Sequence, residues 1–152
     1  MMGRTRLPEY ADAVRTGWTE GELLRLHLHE LPRALFDLSR ERQVELLGER
    51  PPLTGTPWDA LLAAVVEHMC EIHDLPVPEW TEEKERFREI AWIVGNTHEE
   101  CLVATAYAPA AFIRHGALPD PRSLDARGGE RHVWVPGSQP HHEALRRALR
   151  RA

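Results

Sequence analysis

The sequence predicts an all-α fold, a compact bundle of six or seven short helices around a central helix at residues 57–74. Three observations support this class: one long stretch with a clean helical apolar period, two Thr-x-x-Glu capping boxes, and Pro or Gly residues between the apolar runs. A loop-rich C-terminal appendage that ends in a basic helix is expected to follow the bundle. We divide the chain into an N-terminal segment, a helical domain and this appendage, at residues 1–18, 19–126 and 127–152.

The central helix is predicted within PPLTGTPWDALLAAVVEHMCEIHDLPVPEW, residues 51–80. Thr56 stands where an N-cap belongs, Pro57 takes the first helical position, and Asp59 lies in the first turn, where the helix dipole favours an acid. The two prolines of LPVPEW cannot continue the helix. Apolar residues recur at the spacing of one buried helix face: Trp58, Leu61, Leu62, Val65, Met69 and Ile72.

The sequence allows a short helix after Pro8 that ends at Gly17, and it predicts two further helices before the central one. A capping box formed by Thr19 and Glu22 favours a helix over 20–31, broken or kinked at Pro32. Alternatively, Pro32 begins a second short helix. Ser39 is expected to cap a further helix, over 40–47, that turns Val44 and Leu47 inward and ends at Gly48.

Three more helices are predicted after the LPVPEW hinge. One runs from Thr81 to Val94, with Phe87 and Ile90 on its apolar face. A second follows the capping box of THEE, residues 97–100, and a third is PAAFIRHG, which closes at a glycine. The convincing strand candidate is HVWV at residues 132–135.

Composition narrows the functional classes. A net charge of −5 argues against a generic nucleic-acid binder. Both cysteines fall in predicted helices, so a disulfide framework is not expected and a reducing cytoplasm is the plain interpretation. The first residues carry no apolar signal region, and no apolar run is long enough to span a membrane.

No residue cluster in the sequence indicates a particular catalytic or metal-binding chemistry. The sequence lacks the motifs of acyl transfer, nucleotide phosphate binding and dinucleotide binding. Zinc would accept the ligand types of Glu67, Cys70, His73 and Asp74, which lie three or four apart, but the motif spacings of zinc sites are missing. We therefore expect no metal, no cofactor and no enzymatic activity.

Tryptophan and arginine are the more informative residues, because both dominate protein interfaces. The candidates for partner binding are Trp80, Trp92, Arg114, Arg146, Arg147 and Arg150. The alternative is that the tryptophans hold the helices to each other and that the arginine-rich tail is a solvated terminal helix.

The blocks PPLTGTPWDALLAAVVEHMCEIHDLPVPEWTEEKERF and TAYAPAAFIRHGALPDPRSLDAR resemble a group of small helical proteins from high-GC bacteria. The resemblance covers about half of the chain, and it implies an antitoxin or regulatory partner of a nucleotidyltransferase-like toxin. Many members carry a helix-turn-helix before this block, which residues 1–48 do not recognisably contain, and residues 127–152 extend past the usual end.

The leading hypothesis is thus an antitoxin-like interaction protein that binds and restrains another protein, with self-association left open. A DNA-binding regulator that uses the N-terminal helices and the arginine tail is the second hypothesis. A small metal-binding protein or enzyme that uses the histidines is the third.

Overall fold

The structure of the protein, a computed structural model, describes residues 6–95 and 97–124. Within these ranges the chain is helical around one central helix, which confirms the predicted all-α class. The predicted appendage with its terminal helix, and the strand predicted at 132–135, lie outside the described residues. The helices are α1 (Pro8–Arg15), α2 (Glu20–Arg25, continued by a π turn at Leu26–Glu30 and an α-helical end at Leu31–Phe36), α3 (Arg40–Gly48), α4 (Trp58–His73), α5 (His98–Tyr107) and α6 (Ala110–His115).

Helix α4 is the predicted central helix, one residue shorter at each end. Every side chain from 59 to 70 is buried, because the other helices and loops cover the helix on all sides. The predicted side-chain cap is wrong: the Thr56 hydroxyl bonds the Thr54 hydroxyl, and no side chain caps the helix. Asp59 instead accepts hydrogen bonds from the N–H groups of Thr54 and Gly55, at 3.0 and 2.9 Å, and so ties the preceding loop to the first turn.

Helix α2 passes through Pro32 without a break. Its Thr19–Glu22 capping box is present as predicted. The Leu31 N–H then donates to the Leu26 carbonyl, five residues back. Proline has no N–H to give to the helix and its ring needs room, and the wider π turn just before Pro32 meets both conditions.

The N-terminal segment belongs to the same core. Leu7 and Tyr10 are fully inaccessible to solvent and Ala13 nearly so, and all three join the cluster around α4. Residues 6–18, which the sequence interpretation set apart from the helical domain, therefore contribute to its packing.

Helix α3 buries a different face from the predicted one. Ser39 caps it and Leu47 points inward as expected, but Val44 is 39% exposed. Gln43 takes the buried position, because its amide Nε2 donates to the Leu35 carbonyl at 2.9 Å. One internal hydrogen bond thus lets a polar side chain occupy the buried position that the apolar pattern assigned to Val44.

The helix predicted from Thr81 to Val94 is absent. Its place is taken by two 3₁₀ turns, Glu79–Glu82 and Lys84–Arg86, and by the strand β1 (Trp92–Ile93). Strand β1 pairs in parallel with β2 (Ala117–Leu118), Trp92 opposite Ala117. Three N–H groups of this segment donate to carbonyls from the end of α6 onward: Arg88 to His115, Trp92 to Gly116 and Val94 to Leu118. Tertiary pairing therefore overrides the local helical pattern.

The two later helices agree with the sequence. Thr97 and Glu100 form the second capping box, and α6 ends at Gly116 with φ +74°. Two constraints favour glycine at position 116. Its positive φ disfavours other residues, and a Cβ there would lie 2.9 Å from the Arg88 Cβ. It lets the two short strands meet.

We predict that Leu62→Ala destabilises the protein by ~2–5 kcal/mol, since Leu62 is 3% exposed on α4 and truncation leaves a cavity. Chemical denaturation measures the change. Leu102→Ala is the control, because Leu102 is 57% exposed and should leave the midpoint unchanged. Equal midpoints for Leu62→Ala and the wild type would mean that this face of α4 is not in the core.

His27 in the π turn is a buried, uncharged base. Its ring lies between those of Tyr10 and Trp58, with centroids 5.5 and 5.3 Å away, and its Nδ1–H donates to the Leu23 carbonyl at 2.7 Å. Burial lowers its pKa from 6.5 to about 4, although the bond to Leu23 opposes the shift. Between pH 6.5 and about 4, His27 is therefore protonated in the unfolded chain and neutral in the folded chain.

We predict that the free energy of unfolding falls as the pH drops from 6.5 towards 4. The His27 contribution is fully present above 6.5 and is lost below it, on the order of 3 kcal/mol in all. His27→Phe, which keeps an aromatic ring, should flatten this part of the profile, whereas His29→Gln should not. Parallel profiles for the wild type and His27→Phe would refute the assignment.

Candidate interaction site

Arg86 fastens the loop before α4 to the hinge after it. The side chain is fully buried; its Nη2 donates to the Pro51 carbonyl at 2.6 Å and its Nε to Glu83 at 3.1 Å. The guanidinium also lies over the Trp80 ring, 4.6 Å from the centroid. Burial lowers the pKa of Arg86, while the Glu83 carboxylate acts against that shift. The PPLTG loop and the LPVPEW hinge are thus held by one cation.

Glu67 is a carboxylate near the middle of the apolar helix α4. It is 6% exposed, and Arg114 of α6 pairs with it through two nitrogens. Burial alone would raise the pKa of Glu67, but the hydrogen bond from Arg114 and the charge of His115 outweigh it, and the pKa is lowered. Arg114 also pairs with Glu82 of the first 3₁₀ turn. This pairing fixes α6 against both α4 and the hinge.

His115 joins these two groups of contacts. Its Nε2 lies 3.3 Å from Glu67 Oε1, and its Nδ1 lies 2.7 Å from the Arg86 carbonyl oxygen. Because a carbonyl oxygen can only accept, Nδ1 carries a proton in that bond. Phe87 stacks on the imidazole with a centroid distance of 4.3 Å. The internal polar network therefore runs from Glu67 through His115 to Arg86 and Pro51.

The described partner-binding candidates are largely engaged inside the fold. Trp80 is 6% exposed, and its indole N–H donates to the Leu47 carbonyl at 2.9 Å. Trp92 is half-buried and meets the Trp58 ring edge-on at 5.0 Å. Arg114 is 46% exposed but pairs with two carboxylates of its own chain. Arg146, Arg147 and Arg150 lie outside the described residues.

An apolar groove remains on the surface beside the LPVPEW hinge. Leu75 and Trp80 turn inward, whereas Pro76 and Val77 are exposed. Val77 and Val44 of α3, at 43% and 39% exposure, both line a groove of about 640 Å³ that reaches Trp80. We call this the hinge groove and define it by Val44, Gly48, Pro76, Val77, Pro78 and Trp80.

The rim of the hinge groove is charged and already organised. Arg50 donates to both Glu83 carboxylate oxygens at 2.7–3.0 Å, and this pairing holds the pKa of Glu83 below its usual range. Glu79 is exposed on the same rim. Sequence reasoning missed the groove, since the pattern turned Val44 inward and nothing local shows that Gln43 takes its place.

The flank of α4 that was considered for metal comprises Glu67, Cys70, His73 and Asp74. Among the described residues, no group of three or more His, Cys, Asp or Glu side chains could hold a metal ion. Glu67 is committed to Arg114 and His115, and burial raises the pKa of Cys70 to about 12. Asp74 ends the helix in the left-handed conformation, with φ +54°.

Over the part of the chain that the structure describes, no helix combines the length and apolarity needed to cross a membrane. Comparison of the chain with protein-family models, curated proteins and solved structures finds no match. Its function is therefore inferred from the groove and from the sequence resemblance.

We predict that Arg114→Met destabilises the protein by roughly 1–3 kcal/mol. It leaves the buried Glu67 carboxylate with His115 as its remaining partner, and the half-exposed arginine puts the cost below that of a fully buried pair. Denaturation curves at neutral pH measure the change.

The matched control is Arg6→Met, which removes an arginine that pairs with Glu49 on the surface. Its melting temperature should stay within error of the wild type, because solvent screens exposed pairs. If the two variants melt alike, the Glu67 pair has no special weight in the fold.

Proposed function

We propose that the protein is a non-enzymatic, antitoxin-like interaction module that binds and restrains a partner protein through the hinge groove. The observation that carries the proposal is the exposure of Val44 and Val77 in one groove beside a buried tryptophan. Single exposed apolar side chains are ordinary, but neighbouring ones in a concave, polar-rimmed site favour protein binding.

The hinge groove suits a binding surface because its backbone is already restrained. Prolines stand on both sides of Val77, and Pro78 has φ −64° and ψ 142°, the conformation of an extended chain. Trp80 is fixed by its bond to Leu47 and by Arg86 above its ring. A partner that docks here would lose little free energy in ordering the loop.

The motifs that carry the resemblance divide into two sets. Pro51, Trp80 and His115 hold the fold together through the contacts described above. Pro76 and Val77, by contrast, face outward within the same LPVPEW motif, where the internal network gives them no role. Their exposure within a motif that carries the resemblance supports the expectation of a toxin-like partner at this surface.

The test is co-expression with the product of the adjacent gene, chosen where that gene encodes a nucleotidyltransferase-like protein. The wild-type chain should form a stable complex and relieve growth arrest. Val77→Asp places a charge in the groove and should weaken the complex about tenfold or more, which corresponds to about 1.4 kcal/mol. Val44→Asp should act in the same direction from the opposite wall.

Leu102→Asp is the control, because Leu102 is at least as exposed as Val77 but lies on α5 outside the groove. It should bind as the wild type does. Full binding by Val77→Asp and Val44→Asp would contradict the proposed surface. Salt-sensitive DNA binding by a chain that binds no protein partner would favour the regulator hypothesis instead.

A further inference from the structure

A second concave site lies on α2, and it shares no lining residue with the hinge groove. It is a cleft of about 490 Å³ between the side of α2 that spans the π turn and, opposite, Val94, Gly95, Glu100 and the segment 119–123. Cavities of this size are typical of small-molecule sites. π turns within helices are also frequent at functional sites.

One wall of the cleft carries three basic side chains at four-residue intervals: Arg25, His29 and Arg33. Within residues 6–95 and 97–124, the side chains of Arg25 and His29 take part in no hydrogen bond or ion pair. Arg50, Arg86, Arg114 and Arg122 each pair with a carboxylate of their own chain. The Arg42 side chain has no partner among the described residues either, but it lies outside the cleft, whereas Arg25 lines it.

Three acidic residues line the cleft: Glu20 lies at the start of α2, and Glu100 and Asp120 lie opposite and have internal partners. Glu100 accepts from the Thr97 N–H at 3.2 Å in the capping box. Asp120 accepts from both the backbone N–H and the guanidinium of Arg122, at 2.6–3.0 Å. These carboxylates are held on their own side of the cleft, which leaves the side chains of Arg25 and His29 available for a ligand.

We propose that this cleft binds a small organic anion, whose carboxylate or phosphate group is held between Arg25 and His29. The arginine fork donates two parallel hydrogen bonds to either group, and the imidazole donates a third. The carboxylates across the cleft favour a ligand that carries hydroxyl or amine donors at its other end. The site is independent of the hinge groove, so failure of one proposal leaves the other standing.

The test is a titration of the isotope-labelled full chain, followed by the amide NMR shifts of residues that line the cleft. Inorganic phosphate and acetate are the two probes, each added at constant ionic strength against sodium chloride. We expect saturable shifts at Gly21, Gly95 and Ser123. The probe that saturates at the lower concentration identifies the anion class.

Arg25→Gln should weaken binding of that probe about tenfold, since it removes a charge-assisted pair of hydrogen bonds. Arg25 is exposed, so the variant should fold as the wild type does. Arg42→Gln on α3 removes an exposed arginine elsewhere and should leave binding unchanged. His29→Gln provides a second, independent loss.

Three results would overturn the proposal. The first is a response to phosphate and acetate that matches sodium chloride. The second is saturable binding whose shifts lie outside the cleft. The third is equal affinity for the wild type, Arg25→Gln and His29→Gln.

Discussion

The fold depends on satisfying one charge, the carboxylate of Glu67 near the middle of the central helix. A buried, unpaired carboxylate is costly, so the surrounding chain must deliver donors to it. Arg114 does this from α6, and the His115 ring lies between the same carboxylate and the Arg86 carbonyl, to which its Nδ1–H donates. Arg86 in turn holds Pro51 and Glu83. The position of α6, the hinge and the first loop therefore follows from one requirement.

Much of this framework is readable from the sequence. The periodicity of α4, the two capping boxes and the glycine after α6 are local signals, and each appears in the structure. The structure of residues 81–94, by contrast, could not be predicted from local signals. Their helical pattern loses to two non-local demands, the burial of Arg86 and the pairing of β1 with β2. Neither partner is a neighbour in sequence, so no local pattern shows them.

The candidate surfaces illustrate the same limit. Trp80 was a partner-binding candidate because of its residue type, yet it contributes the inner wall of the hinge groove and gives its indole N–H to Leu47. Val77 carries no local signal, and the helical period assigns Val44 to the core, because a valine on a loop and one on a helix meet only in three dimensions. The cleft on α2 likewise joins residues that are distant in sequence, among them Arg25, Val94 and Ser123, and no local pattern shows that they meet.

The central claim is that Arg114 and His115 keep Glu67 ionised inside the core. Carboxyl ¹³C NMR of the wild-type chain, titrated from neutral to acidic pH and assigned at Glu67, tests it directly. The account predicts a Glu67 pKa below the ordinary value of 4.5. A Glu67 pKa above 4.5 would contradict the account, because burial would then outweigh the two partners.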